Sequence, residues 1–209
     1  MKHEWRKKEK QLYIPKATPE IVELPAFNFF TIRGQGNPND SFFAEYISVL
    51  YALSYGVKMG LKKENTIANY VDYTVYPLEG VWDINDEAKK NYIKNTAIHK
   101  DDLVFTLMIR QPNFVNQQIA VDVINKVKKK KYHPLLEEVK FESIEEGKCI
   151  QMLHIGSYDN EPITFNTMEQ YAESIGLQRV SKVHREIYLS DFRKVPVEKL
   201  KTTLRFQVQ

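Results

Sequence analysis

Three side chains that can take part in proton transfer occupy alternate positions of one short stretch: His184, Glu186 and Tyr188. Successive residues of a β-strand point to opposite faces of the sheet, so an imidazole, a carboxylate and a phenol share one face. The opposite face carries residues that a sheet presents to covering helices, namely Val183, Ile187 and Leu189, with Arg185 as the exception. The pattern predicts a strand whose polar face forms the wall of a pocket.

A second stretch, residues 72–79, is similar, and Tyr76 sits in it where Tyr188 sits in the first. The same order of elements recurs around both stretches. The first set comprises a strand at 27–33, an amphipathic helix at 43–57, and strands at 73–78 and 103–110. The second set comprises 149–155, a helix from Pro162 to Gly176, 184–191 and 202–208. We therefore predict an α+β fold of two pseudo-twofold-related strand-helix-strand-strand units that form an antiparallel sheet and close around a cleft.

We expect one domain over residues 1–209. It consists of an extended N-terminal arm (1–24), a first half (25–112), a connecting helix and linker (113–146) and a second half (147–209). The connecting helix is predicted to open at Pro112 and Asn113 and to end in the four lysines 128–131. Cations at a helix C-terminus are favoured by the helix dipole, and a nucleic-acid patch is the alternative explanation.

The composition is that of an ordinary globular protein. The chain has 209 residues and a formal net charge of only +3, which argues against nucleic-acid binding on bulk electrostatics. A single cysteine, Cys149, excludes an internal disulfide and fits a reducing compartment. No apolar run approaches the roughly 18 residues that a membrane span requires, and the N-terminus lacks the apolar core of a signal peptide. We expect a soluble, cytoplasmic protein.

Several motifs, taken in order, resemble those of one known family. They are Leu12-Tyr13-x-Pro15, Gly34-x-Gly36-Asn37-Pro38, Leu50–Tyr55, Tyr73–Trp82, Met108–Pro112, Met152–Gly156 with Tyr158, and His184–Asp191. Together they are similar to the GyrI-like proteins, and the resemblance extends over nearly the whole chain. It is closest to the stand-alone members, since the sequence has no DNA-binding domain attached.

The resemblance implies a fold and a site. The fold has two strand-helix-strand-strand units side by side, with helices on one face of the sheet and a ligand cleft on the other. A buried acidic residue at the centre of the cleft meets cationic or aromatic ligands in this family, and Glu186 is the matching position. One branch of stand-alone members hydrolyses cyclopropane-bearing DNA-alkylating compounds with an aromatic cage, which implies the same xenobiotic-detoxifying activity here.

For hydrolysis, Glu186 is predicted to deprotonate a water that attacks the strained cyclopropane carbon, while Tyr158 or Tyr188 donates to the developing oxyanion. The aromatic cage candidates are Tyr76, Trp82, Tyr158, Tyr188 and, more weakly because helical spacing already explains it, Phe165. Glu79 is either a second acidic group of the cleft or a turn carboxylate. His154 is either a ligand contact or, as we favour, a hydrogen-bonded core histidine.

The five histidines show no metal-ligand spacing, and we expect neither a metal nor another cofactor. Three functions stay open: a hydrolase, a protein that sequesters small molecules without chemistry, and a gyrase-inhibitor-like module that binds protein. The expected partner is a small hydrophobic or aromatic ligand, with no nucleic acid and no membrane, and we expect a monomer.

Overall fold

The computed structural model describes residues 2–64, 70–91 and 98–209. The helices are α1 (Trp5–Lys8), α2 (Lys10–Tyr13), α3 (Ser41–Glu64), α4 (Asp86–Asn91), α5 (Gln117–Lys130) and α6 (Glu161–Ser174). The strands are β1 (Glu20–Leu24), β2 (Phe27–Gln35), β3 (Leu78–Ile84), β4 (Leu103–Gln111), β5 (Lys140–Ile144), β6 (Gly147–Ile155), β7 (His184–Tyr188) and β8 (Lys201–Gln207). In these ranges no helix is both long and apolar enough to cross a membrane.

The eight strands form one antiparallel sheet in the order β1-β6-β8-β7-β3-β4-β2-β5. The units β2-α3-β3-β4 and β6-α6-β7-β8 occupy its two halves in mirrored order and meet where β3 pairs with β7. The predicted α+β class, with two related strand-helix-strand-strand units, is confirmed. The halves are joined through the centre of one continuous sheet, so residues of both units can meet at β3 and β7.

Each half also supplies an outer strand to the other half. β1, which precedes the first unit, pairs with β6, whereas β5, which precedes the second unit, pairs with β2. The predicted arm (1–24) and linker (113–146) are therefore wrong in part, because each contains a strand of the sheet. The two units are interlocked by this exchange.

The strand predicted at 73–78 is also wrong in its position. Residue 73 makes only an isolated bridge with His3, and the strand begins at Leu78. The reason is Pro77, which has no N–H to donate to a central strand ladder. The connecting helix likewise starts later than predicted, at Gln117, where the Asn116 side chain accepts a hydrogen bond from the backbone N–H of Ile119.

The two faces of the sheet are covered differently. On one face, α3 packs on the aromatic residues of β3 and β4, and α6 buries Met168 and Ala172 over β6 and β8. The other face is crossed by the N-terminal segment with α1 and α2, whose Tyr13 carbonyl accepts a hydrogen bond from Thr203 of β8. Side chains of both faces are thus buried, although only one face bears the long helices.

Candidate functional site

Glu186 lies in the middle of the sheet, directly opposite Gly80 of β3 and Leu204 of β8. Leu204 packs with Met168 of α6, so Glu186 shares the face that bears the long helices. The prediction that the polar face of this strand turns away from the helices is wrong. Arg185 and Ile187 instead share the opposite face with Arg205 and Thr203 of β8, whose side chains donate to the N-terminal segment.

The carboxylate of Glu186 is held by its two neighbours on the strand. Tyr188 Oη donates a hydrogen bond of 2.7 Å to Oε2, and His184 Nε2 lies 3.3 Å from Oε1. Trp82 Nε1 in turn donates to Tyr188 Oη at 2.9 Å. The Glu186 side chain keeps 11% of its surface exposed. Among the described residues, no lysine or arginine forms an ion pair with it, so it is recessed without a fixed countercharge.

Two phenols stand beside this carboxylate in protonated form. The rings of Tyr158 and Tyr188 meet edge to face, with centroids 6.0 Å apart. Burial and the charge of Glu186 raise the pKa of Tyr158 to about 12, and they raise the pKa of Tyr188 well above its usual value. The Tyr188 hydroxyl already donates its hydrogen bond to Glu186, whereas the Tyr158 hydroxyl makes no hydrogen bond to another described residue. Tyr158 is therefore the free donor of the two.

A further acidic residue, Glu161, was not predicted. It is the first residue of α6 and is 5% exposed, and its Oε1 has no hydrogen-bond partner among the described residues. Burial, followed by the charge of Glu186, raises the pKa of Glu161 well above its usual value. In the sequence it directly precedes Pro162, and acidic residues are common in a first helical turn because the helix dipole favours them. Because the helix dipole already explained an acidic residue at this position, the sequence analysis did not identify Glu161 as a neighbour of Glu186.

Phe165 and His154 support the site from α6 and β6. The Phe165 ring packs on the edge of the His184 imidazole, with ring centroids 4.7 Å apart. His154 is buried, and its ring nitrogens lie 2.8 Å from Thr164 Oγ1 and 2.9 Å from the Ser157 carbonyl oxygen. These contacts fit the hydrogen-bonded core histidine of the sequence analysis. They fix α6 and the turn that carries Tyr158.

Two predicted site residues, Tyr76 and Glu79, are not part of this cluster. Tyr76 Oη donates to Glu9 of the N-terminal segment, and the guanidinium of Arg110 lies over its ring. Glu79 is buried on the face opposite Glu186, where its Oε2 lies 2.7 Å from Arg185 Nη1. The cage prediction was wrong for Tyr76, and neither reading of Glu79 holds, because it is a partner in a buried ion pair.

A cavity of about 700 Å³ opens on the face without long helices. It lies at the C-terminal ends of β2 and β3 and the N-terminal end of β4. Its wall includes Arg33, Val81, Val104, Thr106 and Val183, and it reaches Phe42 and Tyr46 of α3. This is the face on which the resemblance places a ligand cleft. None of the predicted site residues lines the cavity, so the Glu186 cluster and this cavity are separate features.

Gly80 leaves the space that the Trp82–Tyr188 hydrogen bond occupies. A Cβ at this position would lie 2.7 Å from Trp82 Nε1 and 3.2 Å from Tyr188 Oη. We expect Gly80→Ala to displace both rings and to lower the free energy of unfolding by about 1–3 kcal/mol, as overpacking does. Urea unfolding followed by tryptophan fluorescence measures it. Gly60→Ala in α3, where a Cβ would meet nothing within 4 Å, is the control and should not destabilise the protein.

The chain is similar to known proteins in sequence and in structure. The sequence profile of the family described as "GyrI-like small molecule binding domain" matches residues 17–209. A crystal structure of an uncharacterized conserved protein from Listeria innocua has 35% identity and a TM-score of 0.88, over 99% of this chain and 100% of that chain. A crystal structure of a hydrolase from Listeria innocua has 34% identity and a TM-score of 0.86, over 99% and 100% of the two chains.

A more distant structure agrees on the fold alone. The C-terminal domain of EcmrR has 15% identity and a TM-score of 0.50, over 95% of this chain and 98% of that domain. A comparison with curated protein sequences gave no significant match. The profile match spans both strand-helix-strand-strand units and the cluster around Glu186, and on this evidence the chain belongs to the GyrI-like family of small-molecule-binding domains.

Proposed function

We propose that this protein binds planar hydrophobic or cationic xenobiotics beside Glu186 and hydrolyses cyclopropane-bearing DNA-alkylating compounds. The observation that carries the proposal is a recessed carboxylate with aromatic neighbours and no lysine or arginine ion-pair partner among the described residues. Such a group attracts an organic cation and can also accept a proton from water. The aromatic faces of Tyr158 and Phe165 suit a flat ligand.

The proposed chemistry uses three groups. Glu186 takes a proton from a water, and the water oxygen forms a bond to the cyclopropane methylene carbon. The carbon–carbon bond of the ring breaks, and its electron pair moves through the conjugated system to the carbonyl oxygen. Tyr158 donates a hydrogen bond to that oxygen as it becomes an anion, since its hydroxyl has no partner among the described residues. Tyr188 holds Glu186 in place.

The structural relatives from Listeria innocua support an enzyme over a passive binder. One of them, at 34% identity over nearly the whole of both chains, is described as a hydrolase. That description names no reaction, so it supports only the general class of hydrolases. The proposed cyclopropane chemistry rests on the site and on the resemblance of the motifs.

A direct test separates catalysis from sequestration. Purified protein is mixed with an excess of a cyclopropane-bearing alkylating compound, and the ring-opened water adduct is followed by mass spectrometry. We expect many equivalents of product per protein. Protection of a single equivalent would show sequestration without turnover, and no binding at all would remove the proposal.

Tyr158→Phe tests the oxyanion donor. Because a hydrogen bond to a charged group contributes about 1.5–3 kcal/mol, we expect the hydrolysis rate to fall roughly tenfold to a hundredfold with little change in KM. Steady-state kinetics measure both constants. Tyr55→Phe, on an exposed part of α3, is the matched control. A Tyr158→Phe enzyme with full kcat would exclude Tyr158 as the donor.

A further inference from the structure

The cavity at the ends of β2, β3 and β4 is separated from the Glu186 cluster by the sheet itself. Its volume of about 700 Å³ is within the range of small-molecule sites, about 300–1,000 Å³. Val81 and Val183 belong to its wall, whereas the residue after each of them, Trp82 or His184, turns its side chain to the opposite face and the Glu186 cluster. A ligand in the cavity therefore contacts none of the groups of the proposed reaction.

The wall of the cavity is apolar on the sheet and aromatic on α3. Val81, Val104 and Val183 form the sheet side. Phe42 and Tyr46 form the α3 side, and their rings meet edge to face with centroids 6.0 Å apart. None of these five side chains is buried. A flat hydrophobic body in the cavity would remove their apolar surface from water, which favours binding.

The edge of β2 explains why rings of α3 reach a cavity on the other face. The pairing of β5 with β2 ends at Thr31, so the last residues of β2 lie beyond the end of β5. Gly34 has no side chain to separate the strand from α3, since a Cβ there would lie 2.9 Å from Tyr46 Cε1. Tyr46 therefore lies against the backbone of this edge, next to the strand residues that line the cavity.

The charged groups of the wall favour an anion. Arg33 is exposed, and among the described residues it makes no ion pair and no side-chain hydrogen bond. It lies opposite Thr106 of β4, which lies opposite Val81 of β3, so a guanidinium, a hydroxyl and an apolar group form one row across the sheet. Asp83, the carboxylate among the wall residues, already pairs with Lys89, whose Nζ lies 2.5 Å from its Oδ2. Arg33 is thus the charge that a ligand can neutralise.

We propose that this cavity is a second ligand site, which takes organic anions with an aromatic body. The ring system lies on the three valines and against Phe42 and Tyr46. The carboxylate or sulfonate of the ligand binds Arg33, because a guanidinium presents paired N–H donors that match such groups. This site goes beyond the function proposed above, since the Glu186 carboxylate attracts cations and the two sites select ligands of opposite charge.

Isothermal titration calorimetry with 2-naphthoate tests the charge preference. We expect wild type to bind 2-naphthoate more tightly than the neutral 2-naphthamide, and Arg33→Gln to weaken 2-naphthoate binding about fivefold or more without affecting 2-naphthamide. Arg33 is exposed, so the variant should fold, which circular dichroism checks. Lys148→Gln, which removes a positive charge from an exposed position on β6, is the matched control and should bind both compounds as wild type does.

Two calorimetric results would overturn the proposal. One is the absence of 2-naphthoate binding to wild type at millimolar concentration. The other is equal affinity of wild type and Arg33→Gln for 2-naphthoate, because the anion would then not be held by the guanidinium.

Methyl NMR locates the bound probe. 2-Naphthoate should shift the methyl signals of Val81, Val104 and Val183, whereas Val115, which is buried and lies beside Asn28 at the opposite end of β2, should keep its signals. Glu186→Gln, on the other face, should bind 2-naphthoate with wild-type affinity. Shifts confined to other residues, or loss of 2-naphthoate binding in Glu186→Gln, would place the probe elsewhere and overturn the assignment of the cavity.

Discussion

Glu186→Gln should lower the rate of hydrolysis by at least about a hundredfold, the lower end of what a positioned general base contributes. The amide has almost the shape of the carboxylate and can still accept from Tyr188 Oη, which donates 2.7 Å away. It cannot take a proton from water, and it carries no charge to attract a cation. The loss should therefore appear in kcat for a neutral alkylating compound, and in both binding and kcat for a cationic one.

The control for this variant is Glu173→Gln, an exposed carboxylate on α6, which should keep full activity. Single-turnover measurements by mass spectrometry separate the chemical step from product release. Circular dichroism and urea unfolding establish that both variants are folded. A folded Glu186→Gln protein with wild-type turnover would remove Glu186 from the mechanism and leave ligand binding as the function of the cluster.

Local patterns in the sequence were enough to predict the elements that carry the site. The alternation at His184, Glu186 and Tyr188 placed the three side chains on one face, as the structure does. Pro162 and Gly176 marked the helix that brings Glu161 and Phe165 to this face, and Gly176 has a φ of 76° just beyond its end. These signals are local, because strand alternation and the residues that start and end a helix depend on the backbone of a few neighbouring residues.

The assignment of residues to the site failed where it depended on a strand boundary. Tyr76 was placed with Tyr188 because residues 72–79 resemble the stretch around Tyr188 and were predicted to form a strand, but Pro77 interrupts this stretch and the ladder begins at Leu78. A shift in the start of a strand changes which face each side chain occupies. Trp82, inside the ladder opposite His184, lies beside Tyr188, whereas Tyr76, outside it, does not.

The covering of the second face could not be predicted, because it comes from contacts between distant parts of the chain. Residues 9–16 lie across β4, β6 and β8, where Glu9 pairs with Arg110 and the Leu12 carbonyl accepts from Arg205. Nothing in their own sequence indicates this path. These residues cover the face of the sheet that bears Arg185. The polar face of β7 therefore lies on the side of the long helices, contrary to the prediction.

The second large effect is expected on that face, where Arg185 joins two carboxylates, the buried Glu79 and the partly buried Glu146. Its Nη1 lies 2.7 Å from Glu79 Oε2, and its Nε lies 3.0 Å from Glu146 Oε1. The side chains of Arg185 and Glu79 are 5% and 2% exposed. Burial raises the pKa of Glu79, although the charges of Arg185 and Arg205 oppose that shift. The charge of Glu79 therefore depends on its partner.

We expect Arg185→Met to lower the free energy of unfolding at neutral pH by about 3–5 kcal/mol, because the change leaves Glu79 buried without its ion-pair partner. Glu146 keeps Arg205, whose Nη1 lies 2.8 Å from Glu146 Oε2, so the loss falls mainly on Glu79. Urea unfolding measures it. Arg193→Met is the control, since Arg193 pairs with Asp191 at an exposed surface position and its replacement should leave the midpoint unchanged.

Two measurements identify the cause of the destabilisation by Arg185→Met: its dependence on pH and the stability of a double variant. Without Arg185, the pKa of Glu79 rises further, so the destabilisation should shrink as the pH falls and Glu79 becomes neutral in the folded protein. Arg185→Met combined with Glu79→Leu should recover much of the lost stability, because no unpaired charge is then buried. A loss that is constant from pH 5 to pH 7, and unchanged in the double variant, would assign the effect to lost packing of the arginine side chain against Phe29.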